Sequence, residues 1–247
     1  MKKLRRLDQY LVENELVVSR TQAQRFIRSG QVSVNGRVVT TASVKVQPED
    51  DIEVTGKDRF VGRGGEKLEA ALRQFEIDVT DLCCLDVGAS TGGFTDCLLQ
   101  RGVDHVTAID VGHGQMVEVI RTDPRVTVIE KCNARSLQKN HFDRLFDLIV
   151  VDVSFISLLK LLDALVVQAK EEAMMILLVK PQFEVGSEGI SAGGIVREEA
   201  KQIEAVEKVT QWFLNKLQWE VKGMIPCPLR GGDGNQEYLL WVSKSGK

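Results

Sequence analysis

Two apolar runs constrain this fold more than any other feature: Leu148-Ile149-Val150-Val151, ending at Asp152, and Ile176-Leu177-Leu178-Val179, ending at Lys180. Runs this apolar read as parallel strands covered on both faces. A charge inside such a strand is costly, so Asp152 and Lys180 mark where each strand leaves the core. Around them the pattern alternates, with strands at 83–87, 105–110, 126–130, 146–151 and 174–179, and helices at 66–76, 93–101, 114–121, 157–169 and 198–217. That order predicts an α/β fold built on a doubly wound sheet. The last two strands, near 219–225 and 237–243, have no helix between them, which predicts an antiparallel final strand. Ligands of open α/β sheets sit at the carboxyl ends of the strands. An acid and a lysine delivered there point to chemistry, although either alone is also explained as a strand surfacing.

The first fifty residues read differently. Residues 1–48 hold nine Lys/Arg against Asp8, Glu13 and Glu15, net +6, which leaves −9 for the rest of a chain of total charge −3. A basic module on an acidic body suits a polyanionic partner. Leu4, Leu7, Tyr10 and Leu11 recur at helical spacing, and Ser19 with Gln22 forms a capping box for a second helix. Ala23, Phe26 and Ile27 face inward on that helix, and Gly30 stops it. Val32 to Val34, the pair Asn35-Gly36, then Arg37 to Val39 read as a hairpin with a type I′ turn. The stretch from Leu7 to Val54, centred on "SRTQAQRFIRSGQVSVNGRVV", resembles the S4 RNA-binding domain. The resemblance implies a small α+β domain that holds RNA through Arg20, Arg25, Arg28 and Arg37, with Arg5 and Arg6 adding to the basic face. Arginine–phosphate contacts are the physical basis. The expected division is 1–58 for this domain, 59–65 for a polar, glycine-containing linker, and 66–247 for the catalytic domain.

Leu85-Asp86-Val87-Gly88-Ala89-Ser90-Thr91-Gly92-Gly93-Phe94 is a strand–turn–helix passage whose glycines admit a ligand to the backbone. Ser90 breaks the G-x-G-x-x-G dinucleotide pattern. The sequence D-x-G-x-x-x-G-G instead resembles motif I of S-adenosylmethionine-dependent methyltransferases, implying cofactor contacts at Asp86, Gly88, Ser90, Gly92, Gly93 and Phe94. Asp110 ends the next strand, twenty-four residues after Asp86, where an acid accepts ribose hydroxyls. The same class places a residue near the adenine at Asn133.

Strand-end residues separate the possible chemistries. Where amino-group methyltransferases carry N/D-P-P-Y/F, this chain has Asp152-Val153-Ser154-Phe155, and the one cysteine near a later strand end, Cys227, lies between two prolines. Lys67 breaks a local rule, being a cation in the first turn of a helix. Glu237 opens the apolar strand after the glycine-rich turn at 231–234. Lys67, Asp152, Lys180 and Glu237 resemble, in order and placement, the Lys-Asp-Lys-Glu tetrad of FtsJ-like RNA ribose 2′-O-methyltransferases. With "FVGRGGEKL", "LDVGASTGGFTD", "VVDVSFISL", "LVKPQFEVG" and "GNQEYLLW", the chain resembles the TlyA-type, or hemolysin A, ribosomal RNA methyltransferases. The resemblance implies a Rossmann-like methyltransferase sheet and methylation of a cytidine 2′-hydroxyl in 16S and/or 23S RNA. Lys180 is then expected as base, Asp152 and Glu237 as its orienting acids, and Lys67 as a contact to the 2′-oxygen or a phosphate.

Composition excludes other classes. The five cysteines (83, 84, 97, 132, 227) form no C-x-x-C, and the three histidines have no ligand spacing, so neither a disulfide frame nor a metal centre is expected. A reduced, cytoplasmic protein fits. The longest apolar run, from Ala173 to Val179, is far short of a membrane span. The 198–217 helix, apolar at Ile203, Val206, Val209, Phe213 and Leu217 and acidic opposite, suits core packing more than a membrane surface. The segment 184–194 reads either as a connector or as a flap over substrate.

Overall fold

The computed structural model describes the chain except residues 1–3, 18, 19, 57, 187, 188, 192, 217, 246 and 247. It divides into two compact units, Met1–Asp58 and Arg59–Lys247.

In the first unit, β1 (Arg5–Arg6) leads into α1 (Leu7–Glu13) and α2 (Arg20–Arg28), followed by β2 (Val32–Val34), β3 (Arg37–Val38), β4 (Lys45–Val46) and β5 (Ile52–Val54). β2 lies between β3 and β5, antiparallel to both, and β1 pairs with β4. Leu7, Leu11, Ala23, Phe26, Ile27 and Val46 close a core of its own. Asn35 and Gly36 have φ of 52° and 73°, the two left-handed positions a type I′ turn requires. Leu4 stays outside the first helix and is exposed, because Arg5 and Arg6 pair with β4 instead. Ser19, the expected cap of α2, falls outside the described residues, as does Leu217.

α3 (Arg63–Gln74) opens the second unit. Residues 59–65 are not the linker that their composition predicts. The Phe60 ring is buried, the Val61 N–H donates to Asp96 Oδ2 at 2.7 Å, and α3 already begins at Arg63. The glycines that resemble linker chemistry serve packing: a Cβ on Gly93 would lie 3.0 Å from Gly65 N and 3.2 Å from Gly62 O.

Then come β6 (Cys83–Val87), α4 (Gly93–Gln100), β7 (His105–Ile109), α5 (Glu118–Arg121), β8 (Val126–Ile129), β9 (Phe146–Val151), α6 (Leu162–Val166), β10 (Ala169–Val179), α7 (Pro181–Glu184), α8 (Glu199–Leu214), β11 (Trp219–Pro226) and β12 (Tyr238–Lys244). They form a seven-stranded sheet in the order β11-β12-β10-β9-β6-β7-β8. Strands β6 to β10 are parallel, and β12 runs antiparallel to both β10 and β11. This is the expected Rossmann-like sheet with a reversed final strand. Alternate residues feed opposite cores: Leu85, Ile149, Val151 and Leu177 on one face, Cys84, Leu148, Val150 and Ile176 on the other. Two expected helices shrink. Residues 114–117 precede α5 as an irregular turn, and the 157–169 pattern becomes a 3₁₀ turn (Leu158–Lys160) and α6. Ala169, the end of that helical pattern, pairs with Phe146 instead and lengthens β10; tertiary pairing overrides local propensity there.

From β6 the chain continues outward to β7 and β8, whereas β9 and β10 are added on the other side of β6. The order therefore reverses between β6 and β9, and the crevice for ligands opens at their carboxyl ends.

Candidate active site

The turn after β6 is built on backbone conformations that favour glycine. Gly88 and Gly92 have φ of 85° and 97°, and Ser90 between them has φ of 48°. A Cβ on Gly88 would collide with the Asp152 carbonyl oxygen, so only glycine lets β6 and β9 end this close together. The turn is tied to β7: the N–H groups of Gly88 and Ala89 both donate to Ile109 O, at 2.9 and 3.2 Å. Asp110 then clamps it, with Oδ2 accepting from Ser90 N–H at 2.8 Å and Oδ1 from Gly112 N–H at 2.6 Å. The following turn is anchored at Glu130, which accepts from Gly114 N–H (2.7 Å), Arg121 and His113; Arg121 holds the Glu130 carboxyl down at about 2.

These turns enclose a cavity of about 510 Å³, within the size range of small-molecule sites. Gly88, Ser90, Asp110 and Asn133 line it, together with Asp152 and Ser154. Asn133 Oδ1 also caps the next turn, accepting from Arg135 N–H at 3.1 Å. Gly93 and Phe94 line a smaller neighbouring cavity of about 120 Å³. Asp86 and Gly92 line neither. Asp86 is wholly buried in β6, where Oδ2 accepts from the Thr95 hydroxyl at 2.6 Å and Oδ1 has no hydrogen-bond partner among the described residues. Burial, partly opposed by that bond, pushes its carboxyl up to about 7. Gly92 precedes α4 and packs on Ile120.

The four residues of the expected tetrad form two ion pairs. Lys180 Nζ lies 2.6 Å from Asp152 Oδ1 and also donates to Ser154 Oγ at 2.8 Å. Lys67 Nζ donates to Glu237 Oε2. Lys180, Lys67 and Glu237 are buried, and Asp152 is half-buried. Register explains the grouping. Val179 stands opposite Tyr238, so Lys180 and Glu237 leave their strands side by side; Val151 stands opposite Val87 on the other side of β9. A Cβ on Gly64, three residues before Lys67 in α3, would lie 3.8 Å from Asp152 Oδ2, so both pairs share one neighbourhood. Burial pushes the Cys227 thiol up, which leaves it a poor nucleophile. One assignment changes: the described partner of Glu237 is Lys67, not Lys180. Ser154 is the member that sequence reasoning missed. Its signal was the failed N/D-P-P-Y/F match, which placed a hydroxyl two residues after the strand-end acid.

In the first unit, several arginines expected to hold RNA already have acidic partners. Arg5 pairs with Glu13, Arg25 with Asp58, and Arg6 and Arg20 both with buried Asp8 at 2.9 and 3.0 Å. Arg6 above all keeps the Asp8 carboxyl well below the usual carboxylate range. Arg28 and Arg37 are exposed and form none of the described ion pairs.

A parallel sheet with a glycine turn at its switch point, opening on buried lysine–carboxylate pairs, defines a Rossmann-like group-transfer enzyme. The model described as FtsJ-like methyltransferase matches residues 60–244, and that of the S4 domain matches residues 5–52. The 16S/23S rRNA (cytidine-2′-O)-methyltransferase TlyA of Mycobacterium tuberculosis is 43% identical over 242 residues, 96% of this chain and 89% of that protein. Hemolysin A of Brachyspira hyodysenteriae is 41% identical over 235 residues, 95% of this chain and 98% of that one. A solved chain from Streptococcus thermophilus, provisionally named a hemolysin, superposes with TM-score 0.78 at 37% identity, covering 99% of this chain and 90% of its own. The chain therefore belongs to the FtsJ-like methyltransferase family, in the branch of TlyA and hemolysin A that carries an S4 domain. Among the described residues, no helix is long and apolar enough to cross a membrane.

Proposed function

We propose that this protein transfers a methyl group from S-adenosylmethionine to the ribose 2′-hydroxyl of a cytidine in 16S and/or 23S ribosomal RNA, acting in the cytoplasm. The observation that carries the reading is the double lysine–carboxylate pair beside the glycine-turn cavity. The cavity fits the cofactor: it is large enough, its glycine backbone admits close approach, and the Asp110 carboxylate is fixed by two N–H groups while keeping lone pairs for ribose hydroxyls. Asn133 adds a polar group on the same wall. When bound, S-adenosylmethionine supplies a methyl carbon activated by a sulfonium.

The protein must then make a weakly acidic hydroxyl nucleophilic. Lys180, in its neutral amine form, takes the proton as the 2′-oxygen bonds to the methyl carbon and the carbon–sulfur bond breaks. Asp152 holds Lys180 in place. Lys67, itself fixed by Glu237, sets a positive charge beside the oxygen as negative charge builds on it. A positioned base contributes about 10²–10⁴-fold, and holding the hydroxyl in line contributes about 7–11 kcal/mol more. RNA delivery falls to the S4 unit, where Arg28 and Arg37 are exposed cations outside the described ion pairs. Arg5, Arg6, Arg20 and Arg25 contribute through donors left over after their carboxylate bonds, since a guanidinium carries several.

The test is incubation of purified protein with ribosomal subunits and methyl-labelled cofactor, followed by mapping of the labelled nucleotide. Label on a cytidine ribose is expected, lost by about 10²–10⁴-fold in Lys180→Ala with cofactor affinity kept. Label on a base, or an active Lys180→Ala, refutes the reading.

A further inference from the structure

We infer that Ser154 is a positioning residue for the methyl transfer, aiming the proton-accepting lone pair of Lys180 at the substrate hydroxyl. This rests on the reading of Lys180 as the base. A neutral amine has two N–H bonds and one lone pair, arranged tetrahedrally. Beside a carboxylate alone it can turn about its Cε–Nζ bond, and the lone pair takes more than one direction. Here Ser154 Oγ accepts an N–H at 2.8 Å, and Asp152 Oδ1 lies 2.6 Å from the nitrogen as its ion-pair partner. The Ser154 oxygen takes one N–H, while the Asp152 carboxylate beside the nitrogen attracts the other and repels the lone pair, which is left the remaining direction. When the 2′-oxygen bonds to the methyl carbon and the C–S bond breaks, the hydroxyl proton arrives along that direction. The resulting ammonium keeps both partners, and nothing around it need reorganise.

The backbone is built to hold Ser154 there. The next residue, Phe155, has φ of 64°, a left-handed conformation that bulky side chains rarely adopt and that persists only where surroundings enforce it. Phe155 itself is 92% exposed, and contacts on either side tie its segment down. The Phe155 ring packs against Phe183, with centroids 5.5 Å apart. The Glu184 carboxylate accepts from the Ser157 hydroxyl at 2.6 Å and from Leu158 N–H at 2.7 Å. Segments 152–158 and 180–184 are thus joined at both ends and in the middle. Ser154 itself is exposed and lines the 510 Å³ cavity, so its removal leaves no buried void.

Kinetics of Ser154→Ala and Ser154→Thr in the full-length protein test this. Ser154→Ala is expected to lower kcat by about 10- to 100-fold, the effect of losing a hydrogen bond to a charged group. KM for ribosomal subunits and the calorimetric Kd for S-adenosylmethionine stay unchanged. The solvent deuterium isotope effect on kcat rises, because proton transfer becomes more rate-limiting, and Ser154→Thr restores turnover. Wild-type turnover in Ser154→Ala overturns the inference, as does a loss matched by equal loss of cofactor affinity or not rescued by threonine. Lys180→Ala run alongside separates the failures: an inactive Lys180→Ala with an active Ser154→Ala refutes only the role of Ser154.

Discussion

Replacing Asp86 with asparagine tests the physics of the glycine turn most directly. The carboxyl is wholly buried, Oδ2 accepts from the Thr95 hydroxyl, and Oδ1 has no partner among the described residues. Its titration is displaced from 3.8 to about 7. At about 1.36 kcal/mol per unit, the ionised form weakens the fold by at most about 4 kcal/mol. Because the folded value is the higher one, this stability is present in full below about pH 4. It is lost progressively as pH rises to about 7, then levels off. Between pH 5 and pH 8 the wild type should lose about 3 kcal/mol from this group alone. Asp86→Asn does not titrate, so the variant gains on the wild type by that amount over the same interval, whatever the fixed effect of the amide. Urea denaturation of both proteins at the two pH values measures the difference, and other titrating groups cancel between them. The three tryptophans, 212, 219 and 241, all lie in the second unit, so their fluorescence reports on the unit that contains Asp86. A wild-type-to-variant gap that is the same at both pH values, within about 1 kcal/mol, refutes the argument.

Two further substitutions probe the cavity and the S4 unit. Gly88→Ala forces a side chain into the left-handed region, costing about 1–2 kcal/mol, and drives its Cβ into the Asp152 carbonyl and to 3.2 Å from Val153 Cγ1. Calorimetry should show cofactor binding abolished, and the melting temperature should fall by more than the backbone strain alone would give, because the clash is with main chain; unchanged affinity contradicts the assigned site. In the first unit, Arg28→Glu and Arg37→Glu should weaken RNA binding and flatten its salt dependence by about one unit of slope per lost phosphate contact. Arg20→Ala, which removes one partner of buried Asp8, should act mainly on the melting temperature. The opposite ranking in binding titrations and melts would mean that the paired arginines are the RNA contacts.

Continuous apolar runs were the most legible elements. The strands over 83–87 and 146–151 match β6 and β9, since residues buried on both faces leave no register ambiguity. Asn35-Gly36 was legible for a different reason: two consecutive left-handed residues are cheap for few other pairs. Helices were less so. Leu158, Leu161, Leu162 and Leu165 fit a single helix, yet β-pairing of Ala169 with Phe146 ends the pattern early. The polar, glycine-containing segment 59–65 looked like a linker because the Phe60 contacts and the approach of Gly93 come from residues far along the chain.

The sequence by itself determined the kinds of groups at the site and the strand ends that present them, because burial on both faces lets a charge stand only where a strand stops. It also determined the glycines of the turn after β6, whose backbone angles are local. Tertiary structure decided which charges became partners. Glu237 meets Lys67 because β12 returns antiparallel beside β10, with Tyr238 opposite Val179, which sets Glu237 just before it at the end where Lys180 leaves β10. Lys180 meets Asp152 and Ser154 because β9 and β10 are parallel neighbours. Those choices are a matter of register across the sheet. Register is a property of pairs of strands, which no single segment of the chain contains.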